Sequence, residues 1–414
     1  MTWGAPVLLA LGLALSACAT PPAADGPAPT ASAGRPAPPQ APKPPKEAQP
    51  LDAAVLSLAD AVLARAEISR PGPHELVIDP LIDRASGTET ATTRAMSRRI
   101  ASVVRERHPS YRVQPFTLAS LESKPLVLLG AITGVVEAGS LTNSTDKAPA
   151  AYRIWAVLAD LSTGKVVAHE TAWVRPDEVD TTPTAFNRDS PTWLDDPAAA
   201  AYLRVCAGNP GDAIDAAWLD GLKAEALITQ ATTAYEAGRY AQAKTLYANA
   251  KAAPKGAQLR TLNGQYLTAS ALGQPQEAER AFGQLVDYGL ERKRLAVKFL
   301  FRPGVIEFWP DPAISGPYDM WLRQIASRTS ADDACLDVSG HASTTGAASW
   351  NDRLSLMRAQ AIRTRLVGEQ PGLGARLKTE GFGASRPLVG TGRDDATDAL
   401  DRRVEFEPRE CRTG

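Results

Sequence analysis

The sequence predicts a multidomain chain: an N-terminal α/β domain, an all-α stretch, and a C-terminal α/β domain with the order β-α-β-α-β-β. Three observations carry this. Over residues 51–205, apolar positions switch between helical and strand spacing. Between Glu225 and Gly289, a set of small and aromatic residues recurs at a displacement of 35. From Val297 onward, strand-like and helical runs alternate up to Glu407. At 414 residues the chain is long enough for two or three domains with their own cores.

Residues 1–18 read as an export signal. Val7 to Leu15 is a nearly continuous apolar run, too short to span a bilayer and of the length of a signal-peptide core. It ends in Leu15-Ser16-Ala17-Cys18, which resembles a bacterial lipobox. That resemblance implies removal of residues 1–17 and acylation of Cys18, and Ala19 in place of an Asp implies the outer membrane rather than the inner one. Several acyl chains, at about 0.8 kcal/mol per buried CH₂, anchor far more firmly than one. Residues 19–50 follow as a Pro/Ala-rich linker with eleven prolines from Pro21 to Pro50. Such a composition cannot bury enough apolar surface to offset ordering entropy. Extended at about 3.1 Å per residue, it reaches on the order of 90 Å.

Residues 51–205 form the expected N-terminal domain. Leu51 to Ala66 has helical spacing, Glu75 to Ile82 is strand-like, and Thr90 to Arg107 is an amphipathic helix. Leu126 to Val136 is an apolar strand, and Tyr152 to Leu161 with Val166 to Val174 flank the turn Ser162-Thr163-Gly164-Lys165. The runs V-I-D-P-L-I-D, L-L-G-A-I-T-G and D-L-S-T-G-K-V-V resemble periplasmic lipoprotein domains of the penicillin-binding-protein-activator and curli type. Asp79, Asp83 and Arg84 within them read as strand-end and turn residues.

In the helical stretch, expected over 215–290, Gly238, Ala243 and Tyr247 recur as Gly273, Ala278 and Phe282. The period and the small–small–aromatic pattern resemble tetratricopeptide repeats, in which paired helices pack closely. Two units read as a helical spacer docked on a neighbour, with a protein-binding groove as the alternative.

The C-terminal domain is expected over 291–412. Val297 to Trp309 reads as a strand interrupted at Arg302-Pro303-Gly304, followed by a helix at Tyr318 to Ser327 and a strand at Leu336 to Gly340. After the helix of Asn351 to Leu366, Arg376 to Phe382 and Arg403 to Glu407 complete the sheet. That helix, N-D-R-L-S-L-M-R-A-Q-A-I-R-T-R-L, resembles the motif N-x-x-L-S-x-x-R-A-x-x-V-x-x-x-L of OmpA-like peptidoglycan-binding domains. Asn351, Leu354, Ser355, Arg358, Ala359 and Leu366 match it.

The resemblance implies a ligand: the diaminopimelate of uncrosslinked stem peptides, a zwitterion with carboxylates and an ammonium. A guanidinium suits the carboxylate, and Arg358 stands at the family's arginine position. It lies about 40° around the helix from Leu354 and Ile362, so its charge must snorkel or serve a pocket. Arg402 matches a second family position, and alternation with Val404 and Phe406 puts it on the buried face, with Arg403 and Glu405 outward. Ser343 stands where the family has the Asp that takes the ammonium, with Asp352 or the acidic loop Asp394 to Asp398 as substitutes. Peptidoglycan-binding candidates are therefore Ser343, Asn351, Leu354, Arg358 and Arg402.

Composition narrows the rest. The formal net charge is −1, so no global field favours nucleic acid or anionic lipid. The four histidines are scattered without ligand spacing, and no C-x-x-C, H-E-x-x-H, G-x-S-x-G or Walker loop occurs. Neither a metal, a cofactor nor an enzyme activity is expected. Cys335 and Cys411 bracket the last domain as a candidate disulfide for an oxidising compartment, with Cys206 left as a free, buried thiol. The functional expectation is a tether between outer membrane and wall. The alternative is a regulator whose 51–205 domain docks on a periplasmic wall synthase or secretion assembly.

Overall fold

Residues 48–136, 149–193, 196–302, 304–388 and 401–411 are described by the structure, a computed structural model. The expected export signal, Cys18, linker residues 19–47 and the acidic loop 394–398 lie outside the described residues. No helix among the described residues is long and apolar enough to cross a membrane.

The N-terminal region holds α1 (Leu51–Ala64), β1 (His74–Ile78), β2 (Ile82–Asp83), α2 (Ala91–Arg107), β3 (Tyr111–Gln114) and α3 (Leu118–Glu122). It continues through β4 (Leu126–Val135), β5 (Ala151–Asp160), β6 (Lys165–Val174), α4 (Ala185–Asp189), β7 (Thr192–Trp193) and α5 (Pro197–Cys206). The sheet runs β3-β1-β4-β5-β6, with β2 also on β4. β1 is parallel to β3 and β4, while β4, β5 and β6 form an antiparallel meander. Every residue of β4 is buried. That is why it reads as an unbroken apolar run: both faces of a central strand are covered. On one face α1 and α2 set Val55, Leu58, Met96 and Ile100 against Leu76, Leu128 and Ile154. On the other, Tyr202 and Val205 of α5 meet Val127, Leu129 and Trp155.

Local chemistry accounts for the element ends. Thr90 caps α2 through a reciprocal pair in which Thr93 N donates to Thr90 Oγ1 (3.3 Å) and Thr90 N to Thr93 Oγ1 (2.8 Å). The β5–β6 turn has Gly164 at φ +69° and Asp160 Oδ1 accepting from Ser162 N at 2.9 Å. The strand expected over Glu75 to Ile82 is broken into β1 and β2. Pro80 lacks the N–H that a ladder needs, and the chain re-pairs with β4 only at Ile82.

The middle region is two helical hairpins, α6 (Ala216–Glu236) with α7 (Tyr240–Ala252) and α8 (Leu259–Ala271) with α9 (Pro275–Glu291). The 35-residue displacement is visible as repeated geometry. Gly238 and Gly273 follow α6 and α8 at φ +72° and +65°. The next amides close matching six-residue turns, Arg239 N to Ala234 O and Gln274 N to Ala269 O, at 2.8 and 3.0 Å. Tyr247 and Phe282 are wholly buried.

The C-terminal region holds β8 (Leu295–Val297), α10 (Pro312–Ser315), α11 (Tyr318–Ala331), β9 (Cys335–Gly340), α12 (Ala348–Glu369), β10 (Leu377–Gly381) and β11 (Val404–Arg409). Its sheet order is β10-β9-β11-β8-β7, so Thr192 and Trp193 extend this sheet from within the N-terminal stretch. One apolar cluster runs from α6–α9 through α11 and α12 to β8, β9 and β11. Trp321 stacks on Phe282 at 5.2 Å and its indole N–H donates to Tyr266 Oη at 3.0 Å. The strand expected over Val297 to Trp309 shrinks to β8 and one bridge between Phe301 and Phe308. Phe299, Phe301 and Phe308 pack instead around Tyr318, so aromatic burial, not ladder pairing, made this segment look strand-like. Cys335 and Cys411 are joined, with Cα atoms 5.3 Å apart, and Cys206 is buried and unbridged.

Candidate ligand site on helix α12

Helix α12 lies directly on the ends of β9 and β10 because three glycines allow it. A Cβ on Gly340 would sit 2.0 Å from Ser355 O, one on Gly381 2.5 Å from Leu356 N, and one on Gly383 3.0 Å from Asp352 N. The G-H-A-S and G-F-G segments of the sequence are thus contact points for the helix. Hydrogen bonds complete the seat: Gly383 N donates to Ser355 Oγ (2.9 Å) and Ala342 N to Gly383 O (2.8 Å).

Ser343 and Asn351 are brought together. The Asn351 side-chain amide donates to Ser343 O at 3.1 Å and Thr345 O at 3.0 Å, clamping the loop after β9 to the first turns of α12. Leu354 is buried below them. Arg358 is only 6% exposed. Its Nε donates to Val305 O at 3.3 Å, its Nη2 donates to Arg302 O at 3.2 Å, and its guanidinium lies 4.8 Å from the centre of the Phe301 ring. Of the two alternatives for a charge so near the apolar stripe, it does not snorkel to water. It turns inward against the segment after β8.

Arg402 lies just before β11 and is half-buried, whereas Arg403 and Glu405 are buried at 3% and 2% exposure. Arg403 and Glu405, expected outward from strand alternation, are therefore inside. The outer face of this sheet is not solvated but covered by Trp193 and Leu388. Beneath them is a charged group that sequence reasoning missed. Arg294 donates to both Glu405 oxygens (3.2 and 2.9 Å), and Arg403 Nε donates to Glu405 Oε1 (2.6 Å). Burial would raise the Glu405 carboxyl, but Arg403 and Arg294 outweigh it and hold the group at about 2. The alternation of Arg403 with Glu405 on a strand was the available signal.

His341 borders this group, its Nε2 3.9 Å from Glu405 Oε1 and its ring 5.5 Å from that of Phe382. Neither ring nitrogen has a hydrogen-bond partner among the described residues. Burial, then the charge of Arg403, lowers its pKa to about 3; Glu405 opposes this, and Arg386 and Arg294 add to it. The folded state thus keeps His341 neutral while the unfolded chain binds a proton near pH 6.5. This contribution is complete above pH 6.5 and drains away as pH falls toward about 3. Replacing His341→Phe, which keeps a ring against Phe382, is expected to flatten the stability profile. Urea unfolding at pH 6.5 and 5 should show about 2 kcal/mol less pH-dependent loss than the parent. An unchanged slope would refute it.

Residues 314–399 match the OmpA family. The chain is 41% identical over 73 residues to outer membrane porin F of Pseudomonas aeruginosa, covering 17% of this chain and 20% of that protein. It is 32% identical over 92 residues to outer membrane protein Omp38 of Acinetobacter baumannii, covering 22% of this chain and 26% of that protein. Its match therefore spans about a fifth to a quarter of the length of these curated relatives. Among solved structures, the peptidoglycan-associated lipoprotein of Burkholderia pseudomallei is 24% identical with a TM-score of 0.22, covering 28% of this chain and 89% of that one. The C-terminal region is an OmpA-like domain; the N-terminal domain is unidentified.

Proposed function

We propose that the protein is an outer-membrane lipoprotein that holds peptidoglycan noncovalently through its OmpA-like domain and so ties membrane to wall. The observation that carries this reading is the OmpA match over 314–399 with Arg358 at the family's arginine position on α12. Acylated Cys18 provides one end, residues 19–50 the leash, and the domain over 291–412 the other end. The 51–205 domain and the 215–290 helices stand between them.

At the wall end, Arg358 takes a carboxylate of diaminopimelate. Its two carbonyl partners are neutral acceptors, and a carboxylate forms bonds roughly twice as strong. Ser343, held by Asn351, faces the ammonium with an uncharged oxygen. The missing charge costs roughly tenfold in affinity. Leu354 and Asn351 keep the loop and helix in register, and Arg402 adds a second cation. Sedimentation with purified peptidoglycan tests the reading, using protein lacking residues 1–18. Arg358→Ala is expected to weaken binding by about tenfold or more, and Ser343→Asp to strengthen it by about tenfold. Equal sedimentation of parent and Arg358→Ala, both shown folded by their melting transitions, would sink the site.

A further inference from the structure

Few large apolar side chains stand in solvent among the described residues, and most of them belong to one region. Leu118 and Leu272 lie apart, whereas Val305, Ile306, Ile314, Trp350 and Met357 are all in the C-terminal region. Trp350 is the most exposed of the group, at 43%. Its indole makes no hydrogen bond or ring contact with a described residue. The buried Trp193 and Trp321 differ: their indole N–H groups donate to Ser86 O at 2.7 Å and Tyr266 Oη at 3.0 Å. A wide apolar ring left uncovered adds little to folding.

Trp350 is fixed next to the ligand site on α12. It precedes Asn351, whose side chain clamps the carbonyls of Ser343 and Thr345. It also lies four residues before Leu354 and eight before Arg358, in one row along the helix. At 1.5 Å per residue that row spans about 12 Å. At its far end, Val305 accepts from Arg358 Nε through its carbonyl, and Val305 and Ile306 are both exposed. The surroundings of Trp350 are neutral. From Ser343 through Asn351 no residue carries a charge, and Thr345 and Ser349 are exposed hydroxyl residues.

We infer that Trp350 is a contact for the glycan strand, an aromatic face on which an N-acetylated hexosamine ring lies while its stem peptide reaches Arg358. One face of such a pyranose carries a run of C–H groups that packs flat on an indole. Its edge carries hydroxyls and an acetamido group, which suit neutral hydroxyl neighbours; an acyl chain has no use for them. The spacing agrees with the covalent structure of the ligand. Diaminopimelate is third in the stem and is joined to the sugar through two residues and a lactyl group. Two extended residues cover up to about 7 Å, and the lactyl link brings the span to on the order of 10 Å. This role of Trp350 rests on the wall-binding reading and extends it: sugar and peptide are read together, so a free stem peptide competes poorly with the intact wall.

Isothermal titration calorimetry on the full-length protein in detergent compares two probes. One is the free stem tripeptide ending in diaminopimelate, the other the same tripeptide carried on its N-acetylglucosamine–N-acetylmuramic acid disaccharide. The parent is expected to bind the disaccharide form about five- to tenfold more tightly. Trp350→Ala should melt like the parent, keep the parent's affinity for the free tripeptide, and bind both probes equally. Trp350→Tyr, which keeps an aromatic face, should retain most of the preference, and Trp350→Leu should lose it. Equal binding of both probes by the parent would overturn the glycan contact and leave wall binding standing, whereas binding of neither would overturn both. Trp350→Ala weakening both probes alike, or Trp350→Leu keeping the preference, would also overturn it. So would a parent dimer that Trp350→Ala converts to a monomer in light scattering, because the ring would then cover a second copy of the chain.

Discussion

Gly340→Ala is expected to destabilise the C-terminal domain by about 3 kcal/mol, among the largest effects available from adding one methyl group. The new Cβ would lie 2.0 Å from Ser355 O and 2.7 Å from its carbonyl carbon, and both belong to the backbone of α12. Neither can rotate away, so the helix must lift from the sheet. Lifting it strains the Asn351 bonds to the loop that carries Ser343, and wall binding should fall along with stability. The control is Gly368→Ala on the same helix, where a Cβ meets nothing within 4 Å. Relief of glycine's entropy cost should there raise stability by about 0.5–1 kcal/mol. Urea unfolding followed by tryptophan fluorescence separates the two. A Gly340→Ala midpoint equal to that of the parent would show that helix and strand are not in the described contact.

Glu405→Gln should cost a comparable amount, about 3 kcal/mol, because it removes the buried carboxylate that two arginines share. Arg403 is 3% exposed and donates to Glu405 at 2.6 Å, with Arg294 bonded to the same carboxylate. A neutral amide cannot offset either charge and must turn an N–H toward one of them. The double replacement Arg403→Met with Glu405→Leu removes both members of the closest pair and should recover part of the loss. Equal stability of the single and double variants in urea would disprove the coupling. Acid acts on the same group. The Glu405 contribution is present above about pH 4.5 and is lost as pH falls toward its folded value of about 2.

Much of the fold was legible because local patterns coincided with tertiary demands. α2 begins where Thr90 and Thr93 can cap it, the β5–β6 turn sits at Gly164, and the repeat at Gly238 and Gly273 marks two left-handed helix ends. The site was legible to the extent that α12 carries a dense motif. Asn351, Leu354, Ser355, Arg358 and Ala359 are all buried, so their spacing follows from one helix face. Reading failed wherever the deciding neighbour was remote in the chain. Phe299, Phe301 and Phe308 looked like strand residues because aromatic burial and strand pairing draw on the same residue types. Arg403 looked exposed because nothing near it in sequence announces that Trp193 closes the outer face of its sheet.

By itself, the sequence determined the order of the main helices and strands, the small-residue contacts between helices, and the placement of an arginine at the OmpA-like position of α12. These follow from short-range periodicity, capping and glycine's freedom, which act within a few residues. Only the tertiary structure decided that β7 joins the C-terminal sheet and that Arg358 turns toward the carbonyls of Arg302 and Val305. In each case the partners are tens to hundreds of residues apart. Their meeting depends on how separately stable elements pack, and no local pattern encodes that.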